Sequence, residues 1–283
     1  MNVSDSEKIK TIMAGAGCGI FGVAPFEALS EGLIECSAKR RLPKKAASVI
    51  VSVFPYFSGM HAPANISKYA MPEDYHGIVG DMLSRAAQAL GDAFPGNGFV
   101  PFCDASPIPE VEAARLAGLG AVGRSGLIIT RDYGSYVFIG EIVTDLRISP
   151  SRPLEDACLG CGLCERACPA GALNSGKVDR NLCLSAATQK KGTLLPKEAE
   201  LIKNSGMVWG CDACQDVCPL NRKAALTYIE VFRQRLVTRL DEAETDNFEE
   251  KYRGRAFMWR GTGVLKRNLG IIAGREENNN ITP

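Results

Sequence analysis

Cys158-Leu-Gly-Cys161-Gly-Leu-Cys164-Glu-Arg-Ala-Cys168-Pro169, a lone Cys183, and Cys211-Asp-Ala-Cys214-Gln-Asp-Val-Cys218-Pro219 decide how this chain is organised. Eight of its eleven cysteines fall within these 61 residues. The first run has the spacing of bacterial ferredoxins, in which three thiolates hold one 4Fe–4S cluster and the fourth reaches the other. The second run lacks one cysteine, because Val208 occupies the first place of its triplet. Cys183 is the substitute, and the thiolate count then closes at two clusters. Cys158, Cys161, Cys164 and Cys218 are assigned to cluster one; Cys168, Cys183, Cys211 and Cys214 to cluster two. Soft thiolates also suit zinc, so a pair of four-cysteine zinc sites is the alternative. Zinc pairs usually lack the third cysteine and the closing proline seen here. Disulfides fit less well, since nothing marks the chain as secreted.

The 283 residues allow more than one domain, each with its own core. A hydrophobic content of 46% and a charged content of 23% are those of an ordinary globular protein. The net charge of +1 sets up no global field toward nucleic acid or lipid. The N-terminus has no apolar signal region and no twin arginine, and no apolar run is long enough to span a membrane. A cytoplasmic location is expected, with no membrane partner. The polar tail after residue 275 is the one biased segment.

Upstream of the cysteines, strands and helices alternate. Helices are expected over residues 5–16, 26–39, 75–92 and 110–117, and strands over 19–25, 47–54, 98–103, 126–130 and 136–144. This is the pattern of an α/β domain. The Ser-Pro-Ser-Arg-Pro stretch ending at Pro153 reads as a linker. Three units are expected: 1–148, an α/β domain; 149–225, the cluster domain; and 226–283, a helical basic segment. Helices are expected over 222–240 and 264–273. Residues 251–275 hold seven basic residues and no acid, with Tyr252, Phe257 and Trp259 among them. That mixture suits phosphate contact with base stacking, or equally a solvated helix with core aromatics.

Lys68-Tyr69-Ala70, Asp74-Tyr75-His76, Asp104 with Pro107 and Glu110, Ala117-Gly-Leu-Gly120, Tyr133-Gly-Ser-Tyr136, Gly140-Glu141-Ile142, the eight cysteines and Arg267-Asn268 follow one another in a single order. In that order the chain resembles the epoxyqueuosine reductase family, cobalamin-dependent iron–sulfur enzymes that finish queuosine in tRNA. The chain is similar to a short form, without the C-terminal helical-repeat domain of many members. It departs from the family at Val111, which follows Glu110 where the family commonly has Pro-x-x-Glu-Arg, and at Arg124-Ser125, where the family commonly has Lys-Asn.

The resemblance implies a nitroreductase-like α/β domain holding cobalamin, followed by a ferredoxin-like module with two 4Fe–4S clusters. It implies a tRNA anticodon stem-loop as partner and an external electron donor such as flavodoxin or ferredoxin. Asp104 matches the catalytic aspartate. Its apolar flanks lead us to expect a carboxyl kept protonated by desolvation; a helix cap is the structural alternative. Tyr69, Tyr75 and His76 are expected at the cofactor pocket. No lower-ligand histidine motif is present, so base-off cobalamin without a histidine ligand is expected. Gly118, Gly120 and Gly123 are expected to let the backbone approach the corrin, and Arg124 to pair with a corrin side chain, phosphate or RNA. The glycines do not fit a dinucleotide fingerprint, because they follow a helix rather than a strand. Cys18, Cys36 and Cys103 stand outside the cluster count. Two other functions are carried forward: a corrinoid reductase acting on a small molecule, as reductive dehalogenases do, and a non-catalytic iron–sulfur electron carrier or corrinoid-reactivating protein.

Overall fold

A computed structural model describes residues 3–154 and 158–275; the polar tail lies outside the described residues. The chain opens with α1 (Val3–Gly15) and β1 (Phe21–Pro25). It continues through β2 (Ser48–Pro55), α2 (Tyr75–Ala93), β3 (Phe99–Cys103) and α3 (Glu110–Leu116). A small ladder of β4 (Ala121–Val122) and β5 (Ile128–Ile129) precedes β6 (Val137–Thr144). The main sheet has the order β1-β2-β6-β3, and every neighbouring pair is antiparallel.

β2 is buried along its whole length, as its continuous run of β-branched residues requires. Alternation along β6 sorts its side chains between two cores. Phe138 and Ile142 join Ile50, Phe54, Val79 and Leu83 under α1 and α2. Val137 and Val143 join Val49, Val51, Val53 and Phe102 under α3. A Cβ on Gly140 would come 2.5 Å from the Leu83 side chain, so α2 lies directly on the sheet there.

The cluster segment carries α4 (Leu163–Ala167), α5 (Leu184–Gln189), α6 (Pro196–Ser205) and α7 (Ala213–Asp216). Farther on are α8 (Phe248–Lys251) and α9 (Thr262–Ile272). Two helices expected from sequence do not form as such. Residues 26–39 make two 3-10 turns, Phe26–Gly32 and Ser37–Arg41. Residues 222–240 hold only the turn Glu230–Arg233. Here tertiary contacts override helical preference: the Thr227 hydroxyl donates to the Pro55 carbonyl at 2.6 Å, and Ile229 and Phe232 are drawn into the α2-side core.

The C-terminal segment does not stand apart. Leu240, Phe248, Tyr252, Phe257 and Leu265 form one core with Ile66, Met71 and Trp209. Asn65 donates to the Leu240 carbonyl and accepts from the Leu240 amide, both at 2.8 Å. Among the described residues no helix is long and apolar enough to cross a membrane.

Candidate active site

The eight cysteines gather around two cavities. Cys158, Cys161, Cys164 and Cys218 line one of about 360 Å³, with Arg124 at its edge. Cys168, Cys183, Cys211 and Cys214 line part of a larger cleft of about 1050 Å³. All are free thiols. Among the described residues no three or more Cys, His, Asp or Glu close on a point fit for a single metal ion. Thiols spaced around a cavity suit a multi-atom cluster better than a mononuclear tetrahedral ion.

The second thiol set lines the cleft together with four aromatic residues: Tyr56, Tyr69, Tyr75 and Phe138. Tyr75 stacks on Phe138 with ring centroids 4.0 Å apart and planes 8° apart. The Trp209 indole donates to the Tyr69 hydroxyl at 2.8 Å and fixes that ring. Gln215 reaches Tyr56 and Ser135 from α7. Below them Lys68 is only 7% exposed. It pairs with Asp216 at 2.7 Å and Asp212 at 3.4 Å, so its buried charge is matched. Asp212 lies between Cys211 and Cys214, which ties the sheet domain to the second thiol set.

Asp104, at the turn after β3, lies next to this cleft. Its backbone is left-handed, with φ +59°. A non-glycine residue holds such a conformation only when its surroundings fix it. His76, in the first turn of α2, provides that anchor. Its Nε2 lies 3.0 Å from Asp104 Oδ2 and its Nδ1 lies 2.6 Å from Asp74 Oδ1. The His76 ring also stacks on Tyr75, 4.1 Å between centroids, which puts the pair one ring away from the cleft. The bonds to Asp104 and then Asp74 raise the His76 pKa to about 9. The bond from His76, outweighing burial, holds Asp104 below the usual carboxylate range.

That corrects the expected state of Asp104. Its side chain is about 60% exposed, so desolvation does not dominate, and the proton of the pair resides on His76. The glycine expectation is also corrected. A Cβ on Gly118 would lie 2.3 Å from the Arg152 carbonyl oxygen, and one on Gly120 would lie 2.5 Å from that of Ile129. One on Gly123 would meet the Ile129 side chain at 2.7 Å. Gly118 and Gly120 admit the chain's own backbone, Gly123 the Ile129 side chain, and none of the three lines the cleft. Arg124 is bound to Glu165 at 2.8 Å and to Ser175, so its charge is already partnered within the cluster segment.

Sequence reasoning missed Tyr56, Phe138, Ser135 and Gln215 at the cleft, and the clamp around Lys68. Tyr136 and Phe138 held a signal: aromatic side chains stand two positions apart where a strand starts. The basic stretch is mostly structural. Tyr252 and Phe257 are core, and Arg255 donates to the carbonyls of Met71 and Arg235. Arg267 donates to those of Lys190 and Gly192. Trp259 remains 56% exposed, with the Arg260 guanidinium 3.5 Å from its ring centre.

Fold and site together define a class: an α/β domain whose aromatic cleft is walled by a double iron–sulfur module. Residues 157–221 match the family model described as a 4Fe-4S double cluster binding domain, and residues 37–105 match that described as epoxyqueuosine reductase QueG, DUF1730. The chain belongs to the epoxyqueuosine reductase family. It is 32% identical over 233 residues to the epoxyqueuosine reductase of Leadbetterella byssophila, covering 81% of this chain and 77% of that one. It is 32% identical over 218 residues to that of Aliivibrio fischeri, and this match spans 75% of the present chain but 58% of the relative. In structure it is similar to an epoxyqueuosine reductase solved with an epoxyqueuosine-modified tRNA-Tyr stem loop. There the TM-score is 0.80 at 26% identity, covering 96% of this chain and 81% of that one.

Proposed function

We propose that this chain reduces the epoxide of epoxyqueuosine in a tRNA anticodon stem-loop to the alkene of queuosine, using cobalamin and two 4Fe–4S clusters. One observation carries the reading: a single cleft is lined by aromatic side chains and four thiols together, with a proton-bearing pair next to it. The flat aromatic side chains that line the cleft suit a broad macrocycle. Tyr56, Tyr69, Tyr75 and Phe138 would hold the cofactor by their faces, with Ser67, Ser135 and Gln215 offering hydrogen bonds at its edge. When bound, cobalamin supplies the reducing metal centre that cleaves the carbon–oxygen bond.

The first thiol set, in which Cys161 is exposed, would hold the cluster that takes electrons from flavodoxin or ferredoxin. The second set would hold the cluster that passes them into the cleft. The His76–Asp104 pair supplies a proton to the departing oxygen, with Asp104 as the group nearer solvent and substrate. Trp259 with Arg260 offers a stacking face and a cation to RNA.

The test is anaerobic: protein reconstituted with iron, sulfide and cobalamin is given a reductant and an epoxyqueuosine stem-loop. Nucleoside mass spectrometry should show loss of one oxygen. Corrin binding without reduction of the stem-loop would move the substrate to a small molecule. Failure to bind cobalamin would leave an iron–sulfur electron carrier.

A further inference from the structure

Behind Asp104 lie two carboxyls that the reading above does not use. Glu141, on β6, faces the α3-side core between Val51 on β2 and Phe102 on β3. It is fully buried, and neither of its carboxyl oxygens has a hydrogen-bond partner. Glu110, in the first turn of α3, has one buried oxygen without a partner. Facing Glu110 are Asp104 and Cys103 at the end of β3, and His76 and Tyr75 at the start of α2. Glu141 faces Glu110, Asp104 and the Ser106 hydroxyl. The arginine that acts on this group is Arg180, and it acts on Asp104; Glu112 and Arg115, farther along α3, pair with each other.

A buried carboxyl with no cation beside it keeps its proton, even where a neutral donor approaches it, as the Asp104 amide approaches Glu110 and the Ser106 hydroxyl Glu141. Burial, then the Asp104 charge, pushes Glu110 up to about 8. Burial, then the Glu110 charge, pushes Glu141 well above the carboxylate range. At neutral pH the site therefore holds a protonated His76 and two protonated glutamates around one ionised Asp104.

Resting on the proposed reaction, the stoichiometry gives these protons a use. Converting an epoxide to an alkene breaks two carbon–oxygen bonds, takes up two electrons and two protons, and releases one water. The external donor supplies the electrons. The His76–Asp104 pair holds one mobile proton, so a second must reach it before the water leaves. We propose that Glu110 supplies that second proton to the His76–Asp104 pair.

Infrared spectroscopy of the cofactor-loaded protein tests the site without substrate. The protonated-carboxyl band should include a component that titrates near pH 8 and disappears in Glu110→Gln, while iron–sulfur and corrin absorbance is unchanged. Turnover of the stem-loop by Glu110→Gln should fall about tenfold or more, and the alkaline limb of its pH profile should move from near 8 toward 9, where His76 remains. A purely structural effect would lower the plateau and leave the limb in place, which overturns the proposal. So does a wild-type spectrum at pH 7 in which Glu110 is already ionised. A protein that reduces no stem-loop yet keeps the band titrating near 8 would overturn the proposed function and still support the carboxyl site.

Discussion

At the scale of single residues, the informative departure is where the proton sits. Asp104 reads in the sequence as a carboxyl between Phe102 and Pro107, and that reading predicts desolvation. Sequence does not show that His76, 28 positions earlier, closes on it. A hydrogen bond to an imidazole at 3.0 Å outweighs partial burial and leaves Asp104 ionised. Because folding brings the partners, the His76 pKa rises from 6.5 to about 9. The clasp is thus complete below about pH 6.5 and lost as pH rises through about 9. The C2 proton of His76 should titrate near 9 in NMR spectra, and Asp104→Asn should bring that midpoint down. Asparagine tolerates the left-handed backbone and caps as well as aspartate. Asp104→Asn should therefore keep both clusters and cobalamin, yet lose about 10²-fold or more in turnover. Near-normal turnover would leave Asp104 as a cap.

At the scale of elements, β2, α2, β3, α3 and β6 are all legible in the sequence, because each buries one face or both and its periodicity shows it. The misses fall where long-range contacts decide. Residues 222–240 carry helix-forming stretches, yet Thr227, Ile229 and Phe232 are claimed one by one by the sheet. The eight cysteines are legible as sets because their spacing is local; the aromatic residues that share the cleft are not, since Tyr56, Tyr69, Tyr75 and Phe138 come from four separate elements or loops. Glu141 is the costliest residue in its strand. As the folded state keeps a proton that the unfolded chain gives up near pH 4.5, stability must fall as pH rises above that value. One excess proton costs about 1.4 kcal/mol per pH unit. Glu141→Gln should flatten the decline of unfolding free energy between pH 5 and 8 by up to about that slope. An unchanged slope would mean that Glu141 is ionised or paired in the folded protein.

At the scale of the whole molecule, two four-thiol sets imply about eight iron and eight sulfide per chain. Cys183→Ser should cost the second set its cluster and spare the first. Cys36→Ser is the better control than a change at Cys18, whose side chain is packed in the α2-side core. Equal losses in both variants would move the eighth ligand elsewhere. For RNA, only the exposed part of the basic segment remains a candidate. Arg260→Ala should weaken stem-loop binding and reduce its salt dependence by roughly one unit of slope. The same change should leave the core of Tyr252, Phe257 and Leu265 untouched. An unaltered slope would place the RNA surface elsewhere.

Tyr69, which walls the cleft, is held by Trp209, and both belong to the core completed by Leu240, Phe248, Phe257 and Leu265. During synthesis, the cleft wall is made early and its support comes late. On a ribosome, the segment around residue 69 would wait with its apolar back uncovered until some two hundred further residues had emerged. Loading of the corrin should therefore wait for the segment that carries Leu240 to Leu265, and a nascent chain halted before residue 240 should take up none.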